Sequence, residues 1–255
     1  MDTHVIESRH LDAPRRITVL RPRRRPGSTG DRFPVLYLND GQNLFDPARA
    51  FAGVTWNVQE AVNKLVRRRA IPPLIVVGID HGEGLRGREY LPVEDDRNPS
   101  ARGPLGRKYA EFIVNEVVPF VERNYPAARG PSQRGFGGSS YGAVAALYTS
   151  LLWPGTFGRL LLESPSLYVG NRFLLRKARS AGRWPARVYL GVGTAEAGNA
   201  ERDRETVDNV RRLEAILRGT GFGAQRLQVV VEEGGRHSEA HWARRLPGAL
   251  QFLFA

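Results

Sequence analysis

The sequence predicts an α/β protein built on a mostly parallel sheet covered by helices. Short β-branched runs alternate with longer segments of helical period, the pattern of strands joined by crossover helices. The 255 residues show no break in composition, which points to one domain over 1–255, and 41% hydrophobic residues suffice for a sizeable core.

In chain order, the strand candidates are Ile17–Leu20, Val35–Leu38, Leu74–Gly78, Gln133–Gly137, Leu160–Glu163, Val188–Val192 and Leu227–Val231. Each is a brief run rich in Val, Ile or Leu, or a glycine-bearing stretch leading into a turn. Helices are expected over Asn57–Arg69, Tyr109–Asn124, Tyr141–Leu152, Asn171–Ala181 and Arg204–Arg218. In the last, Val207, Val210, Leu213, Ile216 and Leu217 form one apolar stripe. The closing segment Glu239–Phe254 reads as a helix interrupted at Pro247.

Composition narrows the chemistry. Without cysteine there is no disulfide, no thiolate metal site and no cysteine nucleophile. The opening "MDTHVIESRH" lacks a basic start followed by an apolar run, and no apolar run approaches the roughly 18 residues of a membrane span. The expectation is a cytoplasmic protein with no membrane partner. The formal charge of +12 is almost all arginine, since only Lys64, Lys108 and Lys177 are lysines. The basic residues are scattered, apart from "RPRRRPGSTGD" at 21–31, whose flanking Pro and Gly mark a solvated loop. Binding of nucleic acid is therefore not expected, and oligomeric state is not readable. Neither "GFGGSSYG" nor "GVGTAE" completes a dinucleotide-binding glycine pattern, and no G-K-[ST] makes a phosphate loop.

Ligands of such sheets bind beyond the carboxyl ends of the strands. Gly138-Ser139-Ser140-Tyr141-Gly142 fits G-x-S-x-G at a strand-to-helix junction. The glycines two before and two after Ser140 leave room for a sharp turn that presents its hydroxyl at a helix N-terminus. Small residues at such a junction also serve close packing, so the motif needs partners. A serine hydroxyl needs a base, and the base needs an orienting group. Of five histidines, His237 stands in "VVVEEGGRHSEAHW", just past the last strand and two glycines, whereas His241 falls inside the next helix. Between serine and histidine, Glu196 follows the strand ending at Val192. Glu201 and Asp203 have another explanation, since acids favour a first helical turn. The candidate order is Ser140, Glu196, His237. Oxyanion donors are expected from the backbone N–H of Tyr141 and, in "VLYLNDGQNLFD", from that of Gln42 or a neighbour. The segments 80–107 and 164–183 are long enough to wall a pocket, with Trp56, Tyr168 and Trp242 as candidate substrate-binding residues, although aromatic side chains are more often core.

Together these stretches resemble the esterase branch of the α/β-hydrolase superfamily, which includes enterochelin esterases, feruloyl and acetyl-xylan esterases, S-formylglutathione hydrolases and mycolyltransferases. "YLNDGQNLFD" is similar to that family's strand and oxyanion loop, "GGSSYG" to its nucleophile turn, "LGVGTAE" to its acid-bearing strand end, and "GGRHSEAHWARRLPGALQFL" to its histidine loop and closing helix. "GIDHG" with "REYLP" is similar to a further family segment. The resemblance covers most of the chain after Ile17. It implies an α/β-hydrolase fold with about eight strands and helices on both faces. It also implies Ser140 as nucleophile, His237 as base and acid, Glu196 as the orienting carboxylate, and a small-molecule ester substrate, with no cofactor and no metal. Asn39 stands where relatives often have His, and Glu196 is longer than the more usual Asp. The rival readings are acyl transfer to a sugar or other alcohol, and a noncatalytic protein binding polyanions through its arginines.

Overall fold

The computed structural model describes residues 1–22 and 30–255; of the basic run expected to form a loop, 23–29 lie outside the described residues. Eight strands form one sheet in the order β1-β2-β4-β3-β5-β6-β7-β8. They are β1 (Asp2–Ile6), β2 (Arg15–Leu20), β3 (Val35–Asn39), β4 (Ile75–Ile79), β5 (Arg134–Ser139), β6 (Arg159–Glu163), β7 (Arg187–Gly193) and β8 (Leu227–Glu232). The pairs β1–β2 and β2–β4 run antiparallel, and every pair from β4 through β3 to β8 runs parallel.

Alternation along the strands divides the interior in two. In β3, Val35 and Tyr37 join one apolar cluster while Leu36 and Leu38 join the other, and β4 splits the same way between Ile75, Val77, Ile79 and Val76. Both faces are covered, which is why these strands read as continuous apolar runs instead of alternating ones. Helices α1 (Val58–Arg67) and α8 (Glu239–Phe254) close one face. The other carries α2 (Arg86–Tyr90), α3 (Gly106–Phe112), α4 (Val118–Asn124), α5 (Tyr141–Leu152), α6 (Val169–Arg179) and α7 (Ala200–Gly219). From Tyr141 to Ser150 every residue of α5 is buried, as an all-round apolar helix at the centre of such a layer must be.

Three expectations are corrected. β1, absent from the sequence reading, adds an antiparallel edge strand. The single helix expected over Tyr109–Asn124 begins at Gly106 and contains a π-helical turn at Ile113–Val117, separated from Pro119 by Val118. A widened turn there accommodates a residue that lacks an N–H. Pro247 does not interrupt α8, which runs on to Phe254. A proline inside a helix costs about 3 kcal/mol. Leu246, Leu250, Leu253 and Phe254 are buried beneath the sheet, at roughly 1.5–3 kcal/mol each, and their burial outweighs that cost.

Among the described residues no helix is long and apolar enough to cross a membrane, and no group of three or more His, Asp or Glu side chains is disposed to hold a metal ion.

Candidate active site

Ser140 links β5 to α5 with φ 55° and ψ −125°, a conformation costly for a residue bearing a Cβ. Its N–H donates to the carbonyl of Glu163 at 2.9 Å, which ties the turn to the neighbouring strand. The two flanking glycines are required by contact. A Cβ on Gly138 would lie 3.0 Å from Asn39 Cβ, and one on Gly142 would lie 2.8 Å from an Asp40 carboxylate oxygen. Asn39, at the end of β3, holds this junction from the other side. Its Nδ2 donates to the Gly142 carbonyl at 2.7 Å, and its Oδ1 accepts from Tyr109 Oη at 2.6 Å.

Glu196 and His237 come from the loops after β7 and β8 and meet: His237 Nδ1 lies 2.9 Å from Glu196 Oε2. The carboxylate is nearly sealed, with its side chain 2% exposed, while the imidazole is 34% exposed. Because a carboxylate only accepts, Nδ1 carries the hydrogen and Nε2 is left as the basic nitrogen. Glu196 Oε1 takes two further donors, the Gly193 N–H at 2.6 Å and the Ser164 hydroxyl at 2.5 Å. Ser140 Oγ and His237 line the same two cavities, but the hydroxyl's own hydrogen bond runs to Ser166 Oγ at 3.3 Å, not to the imidazole.

The first cavity, of about 350 Å³, is walled by Tyr141, Ser164–Tyr168, Glu196, Arg97 and Arg202, among others. Tyr168 lines it. Its hydroxyl donates to Asp95 Oδ2 at 3.1 Å, the Tyr141 hydroxyl binds the same oxygen, and Arg97 lies 4.2 Å above the Tyr168 ring. Burial pushes both phenols up from their ordinary value and keeps them protonated donors to Asp95. The second cavity, of about 340 Å³, includes Asp40, His81, Arg86, Glu239, Trp242 and the exposed Phe51. Burial lowers the pKa of His81 and raises that of Glu239.

Trp242 therefore lines a cavity, but Trp56 lines neither of these two. It is 2% exposed, belongs to the core cluster of α1 and α8, and packs behind Trp242 with ring centroids 5.7 Å apart. Its burial is the usual fate of a large aromatic side chain. Gln42 sits in the 3₁₀ turn after β3, and its side chain accepts from the His81 N–H at 3.3 Å; its neighbours Asp40 and Asn43, not Gln42, line the second cavity. Tyr141 opens α5, where an N–H has no acceptor within the helix. His241 lies on α8 and pairs with Glu232 at 3.1 Å, while Glu201 and Asp203 occupy the first turn of α7. The sequence reading included Ser164, Ser166, His81 and Arg86 only within the wall segments 80–107 and 164–183, without a role for each, and it missed Phe51. The serines carried a signal, since "SPS" directly follows β6 and the carboxyl-end rule applies to that strand too.

The model of the Putative esterase family matches residues 8–253. The uncharacterized protein YbbA of Bacillus subtilis is 26% identical over 252 residues, 97% of this chain and 95% of that protein. The ferri-bacillibactin esterase BesA of the same species is 23% identical over 245 residues, 88% of this chain and 80% of that protein. Among solved structures, the enterobactin esterase FES of Shigella flexneri with enterobactin superposes with a TM-score of 0.76 at 22% identity over 99% of this chain. This chain spans 58% of the length of that protein. A ferulic acid esterase superposes with a TM-score of 0.74 at 18% identity, covering 99% of this chain and 96% of its own. At these identities the superpositions establish the α/β-hydrolase fold.

Proposed function

The chain belongs to the Putative esterase family and is a carboxylic ester hydrolase, and from that premise we propose that it works through an acyl-enzyme on Ser140, with a small acyl, aryl or lactone ester as substrate. The observation that carries this reading is the His237–Glu196 hydrogen bond of 2.9 Å beside a serine in a strained strand-to-helix turn, all opening on shared cavities. His237 Nε2 takes the Ser140 proton as Oγ attacks the ester carbonyl, and Glu196 steadies the imidazolium that forms. The N–H of Tyr141, with that of Gln42 or a neighbour in the turn after β3, receives the developing oxyanion. His237 then returns the proton to the departing alcohol, and water repeats the cycle on the acyl-enzyme. Ser166, 3.3 Å from Ser140 Oγ, holds the resting hydroxyl until a substrate aligns it toward the imidazole.

Arg97 and Arg202 in the first cavity favour an ester bearing a carboxylate or a catecholate group there. Relatives named as esterases of ferri-bacillibactin and enterobactin are consistent with that class.

Replacing Ser140 by alanine should lower kcat on p-nitrophenyl acetate by roughly 10⁴-fold or more and abolish labelling by a fluorophosphonate. A Ser140→Ala protein that keeps its rate excludes the mechanism. Products formed with added acceptor alcohols distinguish hydrolysis from acyl transfer.

A further inference from the structure

Resting on the serine-hydrolase reading above, we propose that Trp242 and Ser164 form a positioning relay that fixes the Glu196 carboxylate against His237, so that one indole on α8 orients both members of the dyad. Ser164 follows β6, is 1% exposed, and has φ 44°, in the left-handed region. Glycine is the residue that region favours. A serine held there places a hydroxyl where glycine would leave none, and its backbone is fixed by a 2.7 Å bond from its N–H to the Gly191 carbonyl.

The direction of the relay follows from counting hydrogens. Trp242 Nε1 can only donate, and it donates to Ser164 Oγ at 2.9 Å. Arg245 Nη2, also only a donor, approaches the same oxygen at 3.5 Å. With its lone pairs so engaged, the hydroxyl's one hydrogen has a single use, and it goes to Glu196 Oε1. That oxygen also accepts the Gly193 N–H, which leaves Oε2 turned to His237 Nδ1. The carboxylate is thus pinned at both oxygens, and its rotation away from the imidazole would break three bonds. The same indole stands edge-on to the imidazole, with ring centroids 5.0 Å apart and planes at 83°, and limits tilting of His237. Trp242 is 4% exposed and forms part of the second cavity's wall, so it reaches the site by two routes. An unconstrained Ser164 hydroxyl could turn its hydrogen elsewhere and present a lone pair to Glu196, which would repel it.

The test uses three variants of the full chain on p-nitrophenyl acetate. Ser164→Gly suits the left-handed backbone and removes the hydroxyl together with its Cβ, Ser164→Ala removes the hydroxyl alone, and Trp242→Phe keeps the ring edge but removes the N–H. Each is expected to lower kcat about 10- to 100-fold with KM within twofold of wild type. The Ser164→Ala, Trp242→Phe double variant is expected to be no slower than the slower single one, because the two groups act in series. Wild-type kcat in Ser164→Gly with its melting temperature unchanged or raised overturns the proposal. So do a loss confined to KM, which would make Trp242 merely a cavity wall, and double-variant losses that multiply. Fluorophosphonate labelling of Ser140 in the wild-type chain keeps the two readings apart: a labelled wild type with unaffected variants sinks the relay alone, whereas an unlabelled wild type sinks the mechanism beneath it.

Discussion

Gly193 tests whether the placement of the histidine loop governs the rate. A Cβ built on Gly193 would lie 2.1 Å from the Gly235 carbonyl oxygen, 2.4 Å from its carbon and 2.8 Å from its Cα. Nonbonded carbon contacts sit at roughly 3.5 Å, so the loop would have to retreat by more than about 1 Å. Gly235 is two residues before His237, and its carbonyl is already bound by the Ala195 N–H at 2.9 Å, so the strain passes directly to the segment carrying the imidazole. The φ of Gly193 lies outside the left-handed region, which leaves crowding as the main effect of an alanine. Overpacking of this kind costs about 1–3 kcal/mol of stability. A 1 Å error in a reacting group costs about 10²-fold in rate, or roughly 2.7 kcal/mol of barrier. Gly193→Ala should therefore fold, melt somewhat earlier and hydrolyse p-nitrophenyl acetate about a hundredfold more slowly. Steady-state kinetics beside a thermal melt measure both. A folded variant within twofold of the wild-type kcat would refute the argument that this backbone contact sets the position of His237.

Two further outcomes follow from charged groups. Burial pushes the Glu163 carboxyl up from 4.5 to about 7, against the opposing effect of Arg245, whose Nε and Nη2 lie 2.9 and 2.7 Å from Glu163 Oε2. The native state then binds this proton more tightly than the unfolded chain, so the group's contribution is full below about pH 4.5 and is lost as pH rises through about 7. The stability advantage of wild type over Glu163→Gln should shrink across that window in urea titrations, and a difference constant with pH would count against it. In the first cavity, Arg202→Gln should reduce the preference for a carboxylate-bearing aryl ester over p-nitrophenyl acetate by about tenfold, the scale of one charge-assisted hydrogen bond. Added salt should erode the same preference in the wild type, and a preference unmoved by either would remove the case for an anionic substrate.

What the sequence disclosed depended on how local each signal was. Strands β3, β4, β6 and β7 announced themselves because burial on both faces concentrates apolar residues, and the glycines at 138 and 142 marked the turn because only a missing side chain fits there. Edge strand β1 alternates exposed and half-buried residues and owes its form to pairing with β2, so nothing within Asp2–Ile6 distinguished it. Pro247 misled for a related reason, since the burial that carries α8 past it is a property of the packed sheet. Ser140, Glu196 and His237 were singled out from the glycine-flanked turn and from strand-end positions, and the structure brings the last two into contact. Trp56 and Trp242 were indistinguishable as letters. Only the packing of α8 sends one toward the cavities and leaves the other behind it. The relay through Ser164 was hidden further, because it depends on a hydroxyl rotamer and on residues 78 positions apart.

The two hollows that share Ser140 and His237 have a practical corollary. If the acid and alcohol halves of a substrate take one hollow each, small molecules shaped like each half need not compete. Joining them with a tether just long enough to pass the serine would convert two weak ligands into one tight one by raising the local concentration of the second.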